Sequence, residues 1–220
     1  MPDLSTDDLL ATTRSVRRRL DLTRPVPREV IESCLELGLQ APNGSNLNAW
    51  RWIVIDDSAR IRKAAAIYNR GLDDFVRDLG KAVGENYAGA EVPGYDKIAT
   101  SVDSLRENMG RCPALLVPLL PGRVEGLDAF FQASQWGSII QAVWSFMLAL
   151  RSRGLGSAWT TGHLLREAEM AELLGVPANQ YTQVGLFPIA YTLGTDFRPA
   201  YRKPLAEVLG WNGFTSIASS

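Results

Sequence analysis

The side chains best suited to chemistry fall into three short clusters. Arg14, Ser15 and Arg17 form an R-S-x-R group that Arg18 and Arg19 extend. Guanidinium forks bond phosphate oxygens in pairs and a serine hydroxyl adds a short bond, so the group suits a phosphomonoester; the competing reading is a solvated basic helix end. Arg202 and Lys203, in "YRKPL", form a second basic pair distant in sequence. The two pairs suit one phosphate if folding brings them together, although "RKPL" taken alone is ordinary surface. The third cluster, "APNGSNLNAW", sets Pro42, Asn43, Gly44, Ser45, Asn46 and Asn48 ahead of Trp50. A plain turn needs one or two such residues. This many short amide and hydroxyl groups suit a ligand that is polar and flat.

Other conventional signals fail. Gly154 and Gly156 in "SRGLGSAW" invite a dinucleotide-loop reading, but Trp159 stands at the third glycine position and the glycines follow a helical run, not a strand. His163 is the only histidine, so no histidine cluster suits zinc and no metal is expected. No Ser-His-Asp or Cys-His arrangement stands out. Cys34 and Cys112 lie in apolar surroundings without CxxC spacing, as reduced thiols of a cytoplasmic protein do.

A chain of 220 residues is long enough for a sizeable core, burying roughly 70% of its unfolded surface. Its net charge of −1, with 21% charged residues, lacks the basic excess of a nucleic-acid binder. The acidic start "MPDLSTDDLL" argues against a secretory signal. Phe130–Leu150 is uncharged and near bilayer length, but Gln132, Ser134, Gln135, Ser138, Gln141 and Ser145 suit lipid poorly. It reads as a helix buried on nearly every side, and no membrane span is expected. Such a hub is hard to cover with one chain of this size, which favours a homodimer.

The elements around these clusters follow from periodicity. Ser5, with Asp8 three residues on, starts a first helix, "TDDLLATTRS". Pro27 suits the first turn of "REVIESCLELGLQA", in which Val30, Ile31, Cys34, Leu35 and Gly38 share a face. "WIVI" reads as a buried strand, and a helix starts at Ser58. Residues 70–108 weaken into amphipathic pieces around "GAEVPGY", a lid or substrate-channel insertion; Phe75, Tyr87 and Tyr95 within it, and Tyr68 just before it, line the channel or clamp the segment to the core. "ALLVPLL" is a second buried strand, with Pro118 suggesting an irregular or edge position. Gly154 stops the long helix, "SAWTT" is a short strand, "REAEMAELLGV" a helix, and "QVGLFPIAYTL" a strand pair or one long strand. No linker or repeat divides the chain, so residues 1–220 form one α+β domain.

In their order, five motifs resemble the FMN-dependent nitroreductase family: "RSVR", "APNGSNLNAWRWIVI", "GLGSAWTTG", "FPIAYTLG" and "RKPLAEV". The resemblance implies a central mixed or antiparallel sheet flanked by helices, a long buried central helix and an intertwined homodimer with two FMN sites at its interface. It implies that Arg14 and Ser15 hold the phosphate with Arg202 or Lys203, and that Arg17 approaches the N1/O2 edge of the flavin. Thr161 and Gly162 would offer backbone N–H groups to N5 and O4, next to Trp159 and Thr160. Pro42, Asn43, Gly44, Ser45 and Asn46 would lie against the ring and ribityl chain, and Asn48 would reach the partner's flavin. Arg106 or Asn108 is a further candidate at the flavin edge. Thr13, Asn48, Ala49 and Ala190 depart from the family pattern. NAD(P)H would reduce FMN, and a nitroaromatic or quinone would accept the electrons in ping-pong order. The alternatives are a dehalogenase, an oxidative dehydrogenase or a flavin-cleaving enzyme of the same superfamily, or an FMN-binding protein with little turnover. A phosphate-binding regulatory module ranks last, because it leaves the asparagine loop unexplained.

Overall fold

The computed structural model describes residues 4–86 and 95–214, with side chains of 79–96 left aside. Five strands form one sheet: β1 (Arg51–Ile55), β2 (Ala114–Pro121), β3 (Leu155–Gly156), β4 (Tyr181–Gln183) and β5 (Phe187–Tyr191). β2 is central and every pairing among the described residues is antiparallel. β1 runs along one side of it; on the other side Ala114–Leu116 pair with β5 and Leu119–Pro121 with β4. β3 extends the sheet beyond β5.

Of the two positions that Pro118 suggests, the edge is thus corrected and the irregular one holds, and the geometry shows why proline is tolerated. The Pro118 carbonyl accepts from Val184 N–H on the β4/β5 side. A strand residue's N–H points the same way as its C=O, so the missing donor faces the gap where pairing switches from β5 to β4. "QVGLFPIAYTL" accordingly forms two strands that both line β2.

Side-chain alternation along β2 divides the core in two. Ala114, Leu116 and Leu120 join a cluster with Cys34, Trp50, Val143 and Phe146, while Leu115, Val117 and Leu119 join one with Val16, Ile61, Tyr68, Leu105 and Met170. The first face is covered by α2 (Arg28–Gly38) and α5 (Ala129–Ser152), the second by α3 (Ser58–Asn86), α4 (Tyr95–Asn108) and α6 (Glu167–Leu174). The remaining helices are α1 (Thr6–Thr12) and the short α7 (Leu205–Val208).

Local chemistry sets the ends. Ser5 accepts from Asp8 N–H at the start of α1, and Pro27 is the N-cap of α2, one position ahead of the first turn. Asp57 accepts from Arg60 N–H to open α3, whose Ile61, Ala64, Ala65, Tyr68 and Leu72 recur at helical spacing. α5 ends at Ser152, and Gly154 follows with φ 76°.

Several sequence expectations shift. α1 stops at Thr12, so Arg14–Arg17 lie in irregular chain after the helix. Residues 70–86 continue α3, where weak periodicity had suggested separate pieces. The expected Gly-Pro loop, up to Gly94, and Tyr87 lie outside the described residues. "SAWTT" is not a strand: pairing falls on Leu155–Gly156, and Thr160 makes a single bridge to Leu186. One face of the C-terminal half of α5 is buried, but Ile140 and Trp144 remain exposed, and in the first turn Phe130 is 74% and Phe131 54% exposed. Burial on nearly every side therefore fails for the first turns, where the asparagine loop packs beside them and leaves both rings largely open.

Phe146 is fully enclosed in the α5 face of the core. Phe146→Ala should lower the unfolding free energy by about 3–5 kcal/mol in urea denaturation. A loss under about 1 kcal/mol would contradict this packing.

Candidate functional site

The R-S-x-R group is threaded between the sheet and the chain's C-terminal part. Val16 is buried and its N–H donates to the Ser157 carbonyl, while Gly156 leaves room for the Val16 side chain. Arg14 donates to the Arg198 carbonyl at 2.5 Å, which draws the chain leading to Arg202 and Lys203 alongside. Ser15 is exposed. Arg19 pairs with Asp196 at 2.5 Å and lies over the Phe197 ring, so it is a structural arginine.

Arg17 is different. Its guanidinium is partly buried and makes one long bond, 3.4 Å to Ser101 Oγ on α4. Among the described residues no carboxylate lies within 4 Å of it. Burial lowers its pKa and the nearby Tyr68 phenol acts in the opposite sense. Burial likewise pushes the Tyr68 phenol up, against the pull of Arg17 and Arg106.

The Thr161–Gly162 turn, like this cation a neighbour of Tyr68, is set by a close helix approach. A Cβ on Gly71 of α3 would overlap the Gly162 carbonyl, and one on Gly162 would meet Leu72 and Tyr68 at 2.9 and 3.0 Å. Two glycines face each other because either side chain would push α3 off the turn. Glycine in a helix interior costs about 1 kcal/mol relative to alanine, so packing here outweighs propensity. Asp74, buried on α3, fixes the contact through a two-point bond to Arg166 at 2.5 and 3.0 Å. Gly162–Arg166 form a short 3-10 turn whose first N–H groups have no partner within it.

The asparagine loop lies on the other face of the sheet. Gly44 N–H donates to Ser138 Oγ of α5 at 2.9 Å, and a Cβ on Gly44 would meet Ser134 Oγ at 2.8 Å. The asparagines largely bond one another: Asn43 Nδ2 to Asn48 Oδ1, Asn48 N–H to Asn43 Oδ1 and Asn48 Nδ2 to the Asn46 carbonyl. Ser45, Asn46 and Asn48 all hold positive φ near 50°. The left-handed region disfavours most side chains but is tolerated by asparagine, which answers part of the loop's composition. A cleft of about 320 Å³ opens here, lined by Asn43, Ser45 and Trp50 with Phe130, Phe131 and Gln135. Pro42 is exposed at the loop's start.

Other sequence candidates are placed as follows. Thr160 spends its hydroxyl on the Leu186 carbonyl, and Trp159 packs edge-on against Phe187 with 5.1 Å between ring centroids. Arg106 pairs with Asp73. Asn108 bonds the Ser104 carbonyl and receives Arg111, both at the end of α4. Arg202 and Lys203 are exposed, and Arg202 bonds the Tyr201 carbonyl. Gly71 and Ser101 drew no notice in the sequence, since an isolated glycine or serine in a helical run carries no positional signal.

The fold is a helix-rich α+β arrangement with an antiparallel sheet flanked by helices. A sequence model of the nitroreductase family matches residues 10–191, and the chain belongs to that family of NAD(P)H-dependent flavin oxidoreductases. A chloronitrobenzene nitroreductase of Comamonas testosteroni is 26% identical, covering 82% of this chain and 84% of that protein. Among solved structures, an FMN- and NADPH-dependent nitroreductase from Sphigopyxis sp. strain HMH matches with a TM-score of 0.67 and 22% identity over 96% of this chain and 100% of its own. Oxidized iodotyrosine deiodinase bound to FMN and 3-iodo-L-tyrosine matches with a TM-score of 0.67 and 21% identity, over 94% and 98% of the two chains. Among the described residues no helix is long and apolar enough to cross a membrane.

His163 follows Gly162 directly and is fully buried, with Gln183 and Glu167 as the polar side chains acting on its ring. Burial depresses its pKa from 6.5 to about 4. Below pH 6.5 the unfolded chain takes up a proton that the folded chain refuses, so stability falls with pH until about pH 4. The loss should be on the order of 3 kcal/mol across that window. Denaturant titrations at several pH values should show it in the wild type and lack this component in His163→Phe.

Proposed function

We propose that the protein is an FMN-dependent, NAD(P)H-oxidising enzyme that reduces nitroaromatic or quinone-type acceptors in ping-pong order and works in the cytoplasm. The observation that carries the reading is Arg17: a partly desolvated cation with one long bond to a neutral group, near the Tyr68 ring that packs on Gly162. A cation withdrawn from water and not matched by a carboxylate suits an anionic or electron-rich ligand. The residues around it fit FMN. Arg14 and Ser15, with the adjoining Arg202 or Lys203, would hold the phosphate. Arg17 would sit at the N1/O2 edge, and the backbone of Thr161 and Gly162 at N5 and O4.

Bound FMN would supply the hydride chemistry. The chain's own groups hold and tune it: a fixed cation at the edge where negative charge develops costs no reorganisation at the moment of reaction. No nucleophile or acid–base pair is required of the side chains, in keeping with their absence among the sequence motifs. Donor and acceptor share one cleft, so one must leave before the other enters. Ends of α3 and α4 around Phe75 and Ile98, both exposed, would wall that cleft against bulk water.

A second copy of the chain completes the site in this reading. The asparagine loop and Arg17 lie on opposite faces of one sheet, and the apolar start of α5, next to the loop, is uncovered. The loop of one copy, with Asn43, Ser45, Asn46 and Asn48, would then close over the flavin held by the basic segment of the other. Exposed Phe130 and Phe131 would be covered in the same contact, as large exposed apolar patches generally are. The shared fold with iodotyrosine deiodinase leaves reductive dehalogenation as the second reading, decided by whether 3-iodotyrosine is turned over.

The visible spectrum of purified protein, before and after anaerobic NADH or NADPH, tests the proposal. A flavin spectrum should bleach with the donor and return when nitrobenzene is added; a colourless protein that takes up no FMN would overturn it. Arg17→Ala should weaken FMN binding or lower its potential, with affinity falling about tenfold, or about 1.4 kcal/mol. Unchanged affinity and potential would contradict the role given to Arg17.

A further inference from the structure

Tyr68 lies on the apolar face of α3, yet it ends in a polar group that the core does not use. The residue is 2% exposed, with its ring against the position of the Gly162 side chain. Among the described residues its hydroxyl makes no hydrogen bond, and it is not one of the fully enclosed polar atoms. The ring is therefore packed, while the oxygen is left without a hydrogen-bond partner at a point that is not fully enclosed. Phenylalanine would serve such a core position without the hydroxyl, whose burial without a partner costs about 1–3 kcal/mol.

Two cations stand close enough for their charges to act on this phenol. Arg17 comes from the chain after α1 and Arg106 from the last turn of α4. Arg106 is held by Asp73, whereas Arg17 is held only by the long bond to Ser101. Tyr68 therefore lies against Gly162 and within reach of the charge of Arg17, so that three separate elements meet at its ring.

We propose that Tyr68 is a hydrogen-bond donor to the bound flavin, acting with Arg17 on its pyrimidine edge. The inference rests on the FMN reading above. No covalent bond forms or breaks at Tyr68; the hydroxyl keeps its proton and shares it. A neutral donor beside a cation adds a directed bond that strengthens as the acceptor gains negative charge, so it favours the reduced flavin over the oxidised one.

Tyr68→Phe keeps the ring and removes the oxygen, so packing against Gly162 is retained. FMN affinity of the oxidised state should stay within about threefold of wild type, while affinity for reduced flavin falls about tenfold, a midpoint potential about 30 mV lower. The readouts are FMN fluorescence titration, thermal melting and spectroelectrochemistry of the FMN-saturated protein. A variant that binds FMN with an unchanged potential would overturn the role of the hydroxyl and leave the FMN reading standing. Wild-type protein that takes up no FMN would overturn both.

Discussion

The strand β2 is the constraint on which the rest of the molecule depends. Ala114 to Leu120 are all buried, and a strand buried on both faces needs a helical layer on each. Its alternating side chains assign Leu116 and Leu120 to the α5 face and Leu115, Val117 and Leu119 to the α3 face. That assignment decides where the polar segments go. The asparagine loop enters β1 from the α5 face, and the R-S-x-R segment is anchored by Val16 on the α3 face.

Within the α3 face, position is set by close approach more than by polar bonding. Gly71 against Gly162, with Tyr68 and Leu72 alongside, holds the Thr161–Gly162 turn at van der Waals distance from a helix. The bond from Arg166 to Asp74 then fixes the turn's far end. Arg17 meets this rigid wall with little to neutralise it. Rigid surroundings and an unmatched cation are what a redox cofactor needs, since tuning its potential requires charges that do not rearrange.

Much of this was readable in the sequence, and the reasons differ by residue. Arg14, Ser15 and Arg17 are noticeable because three polar groups at that spacing serve no core. The asparagine run was noticeable for its composition, but the sequence does not say that Asn43 and Asn48 bond each other or that three residues adopt positive φ. β2 and the C-terminal half of α5 follow from apolar runs. The start of α5 misled for a physical reason: absence of charge shows that water is not the intended neighbour, without showing which chain supplies the cover. Tyr68 was noticed only as a possible channel or clamp residue, because a tyrosine at helical spacing among apolar residues looks like core until its hydroxyl is located. Arg106 and Asn108 draw attention by their place before β2, yet Arg106 is taken by Asp73 of α3 and Asn108 by the Ser104 carbonyl within α4.

The central claim is that one chain carries two half-sites on opposite faces and that a second copy joins them. Coexpression of two chains tests it most directly: one with Arg17→Ala, the other with both Asn43→Ala and Asn48→Ala. Each variant alone should hold FMN poorly, whereas the purified mixed dimer should regain a single site that binds FMN with wild-type affinity. A mixture that binds no better than its parents, or a wild-type protein that holds FMN as a monomer, would contradict the claim.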